Sequence, residues 1–348
     1  MLRFLPVALL IALISGCTTV IKIHYEIPPD FKADSTRSKT IEKYSQYLAG
    51  RKFFLDPGHG GIDRKNKGNL GLVTEADVNL RVALYLKDYL ERSGSTVYLS
   101  RNKDTTVNLK DRSIISNKSD ADVFISIHHN ATASVNDTWT NYTSTFYHAK
   151  ETSFEYEPCN HDIAKYVERD LSYVMGNPSG LGSFDGTYSD YLIYPGAGFS
   201  VLRLSEKPAI LIECGFFTNT YEEQRLSIEE FNKIEAWGIF RGLAKYFKEG
   251  IPEILPLFDD TCTAFMQGTN LKFLLQDKSG INTNSISVFC DTFKTYFDYD
   301  KNILKVPLQY ISAGEHTFHI QCANNNENYS FPFKRKIIIS NPCNNCNY

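Results

Sequence analysis

Residues 53–61 read Phe-Phe-Leu-Asp-Pro-Gly-His-Gly-Gly. A short apolar run ends in a Pro/Gly turn that presents one imidazole, His59, so the segment reads as a buried strand delivering a functional side chain at its carboxyl end. The same stretch invites comparison with a phosphate-cradling loop, but it lacks the Lys-Ser/Thr pair of a P-loop, does not fit Gly-x-Gly-x-x-Gly, and has no helix directly behind it. Three residues of matching chemistry lie at the ends of other expected elements: Glu75 in Val-Thr-Glu-Ala-Asp, His128 in Ile-Ser-Ile-His-His-Asn, and Glu213 in Ile-Leu-Ile-Glu-Cys-Gly.

Outward from this stretch, residues 51–250 alternate between short apolar strands and amphipathic helices. A helix is expected from Glu75 to Arg92, with Val78, Val82, Leu86 and Leu90 on one face and Thr74, with Asp77 three residues on, as its cap. A strand at Thr96 to Leu99, a helix from Leu109 to Lys118 and the buried strand Val123 to Ile127 follow. After a Thr/Asn-rich loop come a strand at Ser144 to Tyr147, a helix carrying Ile163, Val167, Leu171 and Val174, the strand Ala209 to Ile212, and a last helix with Trp237, Phe240, Ala244 and Phe247. This order implies an α/β unit, a mostly parallel sheet flanked by helices. Ligands gather at the carboxyl ends of strands in such sheets, which is where His59, His128 and Glu213 fall.

Each of the four residues has an ordinary structural explanation on its own. A histidine after Asp-Pro-Gly can shape a turn, and a carboxylate at a helix start, as at Glu75, is favoured by the helix dipole. Glu75 nevertheless precedes Val78 by about one turn and shares its inward face. Strand alternation sends His128 and His129 to opposite faces, so only one of them serves a common site. Glu213 ends an apolar run in which an unpaired charge costs on the order of several kcal/mol, and a carboxylate there needs a compensating partner. Two His, one Glu and a further carboxylate are the inventory of a catalytic zinc hydrolase: three protein ligands, a fourth position for water, and a base to take its proton.

The chain starts with Arg3, an apolar stretch from Phe4 to Ile14, and Ser15-Gly16-Cys17. That stretch is too short to span a bilayer and reads as a signal peptide over residues 1–16. Leu13-Ile14-Ser15-Gly16-Cys17 resembles a bacterial lipobox, in which cleavage leaves the cysteine as a lipidated N-terminus. Cys17 is then an anchor, and residues 17–50, with Pro28-Pro29 and a polar run from Asp34 to Thr40, are a lipid-anchored tether with one short helix near Ile41 to Leu48. The 348 residues suffice for two domains, and a hydrophobic content of 42% supports real cores. A net charge of −3 argues against a nucleic-acid partner. The chain has eight cysteines, an odd number once Cys17 is set aside, so in an oxidising compartment at least one is unpaired or pairs outside the chain. Cys214 reads as a small buried residue. Cys290 and Cys322, in neighbouring expected strands, are placed to bridge, and Cys343-x-x-Cys346 reads as a local disulfide or two free thiols.

Gly250-Ile251-Pro252 closes the first unit, and residues 251–256 read as a linker. The texture then turns to short β-rich runs at Leu271 to Leu275, Ser285 to Cys290, Thr295 to Tyr299, Ile303 to Val306, Thr317 to Gln321 and Lys336 to Ile339, separated by turn signals such as Lys278-Ser279-Gly280 and Asp300-Lys301-Asn302. This pattern predicts a C-terminal β-sandwich domain over residues 257–340, followed by an Asn/Cys-rich tail at 341–348.

Five blocks in order, Leu55-Asp-Pro-Gly-His-Gly-Gly, Thr74-Glu-Ala-Asp-Val-Asn-Leu, Val97-Tyr-Leu-Ser-Arg101, Asp122-Val-Phe-Ile-Ser-Ile-His-His-Asn130 and Lys207-Pro-Ala-Ile-Leu-Ile-Glu-Cys-Gly-Phe-Phe-Thr-Asn219, resemble the zinc-dependent N-acetylmuramoyl-L-alanine amidases of the Amidase_3 family, which cut bacterial cell-wall peptidoglycan. The resemblance implies a catalytic domain over residues 51–250, zinc bound at His59, Glu75 and His128, and a catalytic carboxylate at Glu213. The chain departs from the family pattern at His129, where a small residue is usual, and in the Gly/Tyr-rich segment from Gly176 to Phe199, expected as an extended loop flanking the cleft. The sequence assigns no oxyanion donor, although Asn130 and Arg203 lie nearby. Asp277-Lys-Ser-Gly-Ile, Tyr299-Asp and Gly314-Glu-His-Thr resemble bacterial immunoglobulin-like modules. The implied partners are peptidoglycan as substrate and a membrane through the N-terminal lipid, placing the protein outside the cytoplasm in the cell envelope, with any protein regulator left open. A zinc peptidase acting within stem peptides and a non-catalytic, lipid-tethered cell-wall binding protein are the competing readings.

Overall fold

The computed structural model describes residues 23–259 and 263–341; the signal segment, Cys17, and Cys343 with Cys346 lie outside them. The first unit runs α1 (Asp34–Leu48), β1 (Lys52–Pro57), α2 (Glu75–Arg92), β2 (Thr96–Leu99), α3 (Leu109–Lys118), β3 (Val123–Asn130), β4 (Ser144–Tyr147), α4 (Pro158–Met175), β5 (Thr187–Ser189), α5 (Ser200–Arg203), β6 (Ala209–Phe216), α6 (Thr220–Leu226) and α7 (Glu229–Lys248). Its strands lie in the order β2-β1-β3-β6-β4-β5. The first four are parallel, β4 reverses against β6, and β5 follows β4, so the sheet is mixed. The central strands are apolar on both faces because both are covered. Phe53, Leu55, Ile125, Ile127, Ile210 and Ile212 pack in the main core with α1, α2, α4 and α7, and Phe54, Phe124, Ala209 and Leu211 pack on the opposite face with Val201 and Leu202.

Two N-terminal expectations change. Thr74 is the N-cap residue of α2, but its side chain makes no capping bond; the Asp77 carboxylate is drawn instead to Arg64, at 2.6 and 2.8 Å. The chain from Phe31 onward is core rather than tether. Phe31, Ile41, Tyr44 and Leu48 are buried in the main cluster, Phe31 against Trp237 and Tyr44 against Phe240, with ring centroids 5.7 and 6.3 Å apart. The polar run from Asp34 to Thr40 forms the first two turns of this longer helix, none of it buried, and Arg37 secures its start by donating to the Phe31 carbonyl at 2.9 Å.

The segment from Gly176 to Phe199 is more than a loop, since it supplies the edge strand β5 and a 3-10 turn at Asp190–Leu192. Glu168 of α4 ties it down. This fully buried carboxyl accepts from the hydroxyls of Thr143 (2.5 Å), Thr145 (2.9 Å) and Ser179 (2.8 Å). Burial outweighs those donors and pushes its pKa up to about 7.

The β-rich region comprises β7 (Glu253–Pro256), β8 (Ala264–Met266), β9 (Asn270–Gln276), β10 (Ile281–Cys290), β11 (Phe293–Lys294), β12 (Asp298–Asp300), β13 (Ile303–Pro307), β14 (Gly314–Asn324) and β15 (Phe333–Ser340). Two sheets, β11-β10-β14-β15-β8 and β12-β13-β9-β7, contribute to one apolar core that includes Leu271, Phe273, Val288, Leu304, Phe318 and Ile337. The expected linker is in part strand β7, paired antiparallel to β9 with Ile254 packed on that core. Of the single strand expected at Thr295 to Tyr299, only Asp298 and Tyr299 are strand, as part of β12; β11 ends before it, at Lys294. Cys290 and Cys322 do not bridge; both are free and buried. Cys290 lies opposite Phe318, so Cys322 is displaced along β14 by about 13 Å at ~3.3 Å per residue, beyond the reach of a disulfide. Among the described residues, no helix is long and apolar enough to cross a membrane.

Two measurements follow. Leu48→Ala is expected to cost about 2–5 kcal/mol in urea denaturation, the penalty of a core cavity; a change below about 0.5 kcal/mol, the surface value, would return α1 to a tether. For Glu168 the folded-state pKa lies above the unfolded value of 4.5, so its stabilising contribution is full below about pH 4.5 and is lost as pH rises through about 7. Glu168→Gln cannot ionise, so the wild type should lose stability relative to the variant across that window. Equal pH slopes would contradict it.

Candidate active site

The site begins with the turn that ends β1. Asp56 is buried and accepts from Ser100 Oγ (2.6 Å), Ser126 Oγ (2.9 Å) and Arg112 Nη1 (2.6 Å). Arg112 continues to the carbonyls of Pro57 (2.9 Å) and His59 (3.0 Å). Arg101 donates to the carbonyls of Pro57 (2.9 Å), Gly58 (2.8 Å) and Ala76 (2.7 Å), joining the turn to the first turn of α2. These guanidinium contacts hold His59 at φ 59°, a left-handed conformation that costs a non-glycine residue on the order of 1–3 kcal/mol. Gly58 is required for space: a Cβ there would lie 2.1 Å from His128 Cε1, so the His128 ring lies over bare backbone.

His59 Nε2 is 3.0 Å from Glu75 Oε2, and His128 Nδ1 is 3.1 Å from Glu75 Oε1. The imidazole centroids are 5.0 Å apart, with planes at 78°. One donor atom from each of the three residues lies within 4.8 Å of the others. Two nitrogens and an oxygen so placed fit a cation with ligand distances of about 2.0–2.2 Å, as zinc has. The outer contacts fit as well. His59 Nδ1 meets Asp63 Oδ2 at 2.7 Å, the arrangement that orients a metal-binding imidazole, and Asn66 Nδ2 donates to Glu75 Oε2 at 2.7 Å. Burial opposes the charge on Glu75, but His128 and His59 prevail and hold its carboxyl well below the usual range. Against the desolvation of its own ring, Glu75 and Asp63 raise the pKa of His59.

His128 and Glu213 are register partners on the adjacent parallel strands β3 and β6, so their side chains share a face. Glu213 keeps some exposed surface, but its Oε2 is out of solvent and makes no hydrogen bond. Burial first, and the negative charge of Glu75 second, push its carboxyl well above the ordinary value. A buried acceptor without a donor is uncommon and marks a place for a ligand, an ion or a proton. His129 points the other way, as alternation predicts: its ring is fully buried, with Nδ1 2.7 Å from Asn79 Oδ1 and Nε2 2.9 Å from Glu235 Oε1.

The structure therefore brings together His59, Glu75, His128 and Glu213. It leaves Asn130 turned onto its own loop, Oδ1 accepting from the Ala131 N–H at 2.8 Å, and Arg203 bonded to the Ala197 carbonyl. Sequence reading missed Asp63, Asn66 and Arg112 as supports, and took Arg101 and Asn79 only as parts of motif blocks. Arg112 sits in an expected helix with no pattern to mark it, and its bond to Asp56 spans 56 positions.

The N-acetylmuramoyl-L-alanine amidase family, Amidase_3, matches residues 53–245, a span that holds all four candidates and stops before β7. The germination-specific N-acetylmuramoyl-L-alanine amidase of Bacillus subtilis (strain 168) is 30% identical over 233 residues, covering 63% of this chain and 89% of that protein. The N-acetylmuramoyl-L-alanine amidase LytC of the same organism is 29% identical over 213 residues, covering 61% of this chain and 38% of that protein. The crystal structure of the amidase Ami1 from Mycobacterium smegmatis aligns with a TM-score of 0.51 at 19% identity, covering 58% of this chain and 99% of that one; at that identity the likeness shows a shared fold.

Proposed function

Because the chain belongs to the N-acetylmuramoyl-L-alanine amidase family, we propose that it hydrolyses the amide joining the lactyl group of N-acetylmuramic acid to L-alanine in bacterial peptidoglycan, with zinc held by His59, Glu75 and His128. The observation that carries this reading is the buried, unpartnered Oε2 of Glu213 on the strand paired with His128. When bound, zinc polarises the amide carbonyl and brings the pKa of a water to about 7. Glu213 is the proton carrier: Oε2 accepts the proton of the attacking water and delivers it to the leaving amine nitrogen. Its raised pKa favours keeping that proton between the two transfers. Asp63 holds Nδ1 of His59 and so presents Nε2, and Asn66 fixes one oxygen of Glu75.

In this reading the catalytic domain is residues 51–250, completed by the packing of α1, and residues 253–340, with β7 included, form an immunoglobulin-like sandwich. Residues 1–16 are a signal peptide and Cys17 carries lipid, so the enzyme acts at the cell envelope, outside the cytoplasm, from a membrane anchor.

Chelation is expected to abolish activity, and one zinc per chain to restore it. Glu213→Gln should keep the metal and lose about 10²–10⁴-fold in kcat, the usual loss of an acid/base group; loss of zinc would make Glu213 a ligand. Mass spectrometry of digested cell wall should find stem peptides released with a free L-alanine amine. Cuts within the stem would establish the peptidase reading instead. Wild-type protein should partition with membranes and Cys17→Ser should not, whereas free release of the wild type would refute the anchor.

A further inference from the structure

We propose that His129, with Asn79 and Glu235, is a positioning device that locks Glu75 and the His59 turn to each other from beneath the site. It rests on the assignment of Glu75 as a metal ligand. Asn79 of α2 is fully buried, and its Nδ2 lies 3.3 Å from both Glu75 Oε1 and the Gly58 carbonyl. One amide thus bridges the two segments that carry Glu75 and His59. The backbone N–H of His129 adds a third contact, to Glu75 Oε1 at 3.3 Å.

A side-chain amide has two faces, and turned over, Asn79 would set its oxygen against a carboxylate and a carbonyl. The His129 ring removes that option. Its Nδ1 lies 2.7 Å from Asn79 Oδ1, and the network is fully satisfied only when Nδ1 donates to that oxygen. The ring is held in turn by Glu235 of α7, 2.9 Å from Nε2. The other oxygen of Glu235 accepts from Asn232 Nδ2 at 2.9 Å, and Asn232 Oδ1 accepts from Arg81 Nε at 2.7 Å. A hydrogen-bonded pair that served only to fill the core would end at His129 and Glu235. This one continues through Asn79 to both ligand-bearing segments. Cys214 also lies beside His129 and Glu235, but both ring nitrogens are already engaged and burial pushes the thiol pKa well up, so the group is a hydrogen-bonded support and not a second metal site.

The test uses the full chain and two readouts, zinc affinity by competition with a chromophoric chelator and the melting midpoint of the zinc-free protein. His129→Ala and Asn79→Leu are each expected to weaken zinc binding by about 10–100-fold, the effect of losing a group that orients a ligand. His129→Asn, whose amide nitrogen takes the place of Nδ1, should keep most of the affinity while losing the Glu235 contact and some stability. Wild-type affinity in both His129→Ala and Asn79→Leu, with only a lowered melting midpoint, would overturn the proposal. A second zinc per chain that disappears in His129→Ala would overturn it as well. His128→Ala separates this from the ligand assignment: it should bind no zinc whatever the fate of the device, and if it binds normally the ligand set itself is wrong. Should His129→Ala fail to fold, Asn79→Leu and His129→Asn decide the matter by the same comparison.

Discussion

Two carboxylates brought together out of water are the constraint around which this molecule is built. Glu75 and Glu213 are close enough that the charge of one raises the pKa of the other, and a buried charge is tolerated only with compensation. Glu75 receives it from two imidazoles, two side-chain amides and the N-terminus of α2, whose dipole favours an anion. Glu213 Oε2 receives none from the protein. A cation among the three donors would meet the charge of Glu75 and lower the cost of ionising Glu213. The arrangement is unfavourable for a scaffold and suitable for moving a proton.

That tension has to be held rigidly. The left-handed backbone of His59 works against folding by on the order of 1–3 kcal/mol, and hydrogen bonds to charged groups contribute about 1.5–3 kcal/mol each. The turn from Asp56 to His59 receives five such bonds from Arg101 and Arg112. Arg101 bonds carbonyls rather than a carboxylate, and burial, with Arg112 beside it, draws its pKa down to about 10; it remains protonated at neutral pH. The strain is thus offset locally, and the imidazole is in place before any ligand arrives.

Much of this was legible in the chain and some of it could not be. Periodicity placed α2 at its observed ends, Glu75 and Arg92, because Val78, Val82, Leu86 and Leu90 repeat on one buried face. Alternation alone separated His128 from His129. The fate of α1 was hidden because Ile41, Tyr44 and Leu48 are sparse among polar residues and their partners, Phe240 among them, lie some 200 positions away. Strand β7 was masked by the prolines at its ends, and the register that sets Cys290 opposite Phe318, away from Cys322, joins two strands that are not neighbours in sequence, so no local signal encodes it. Arg112, Asn79 and Glu235 were unreadable for a related reason: a polar residue in a helix looks like solvent-facing surface until the fold shows what it faces.

The same logic of distant partners bears on how the β-rich region relates to the catalytic unit. The end of a helix leaves carbonyls without partners in it, and at the end of α7 the C-cap Glu249 and the following Gly250 are held from outside: Asn324 Nδ2 lies 3.2 Å from the carbonyls of both, Asn326 Nδ2 bonds Glu249 O at 2.9 Å, and Asn328 Nδ2 bonds Gly250 O at 3.1 Å and reaches the Tyr246 carbonyl of α7 at 3.5 Å. All three asparagines lie at the end of β14 or in the turn that follows it. The Tyr329 N–H meets Asp162 of α4 at 2.8 Å, and Phe331 packs against the main core. A region that serves as the cap of α7 is a fixed extension of the catalytic unit. Because α7 also carries Glu235, the helix that supports the site from beneath is the one whose end the β-rich region secures.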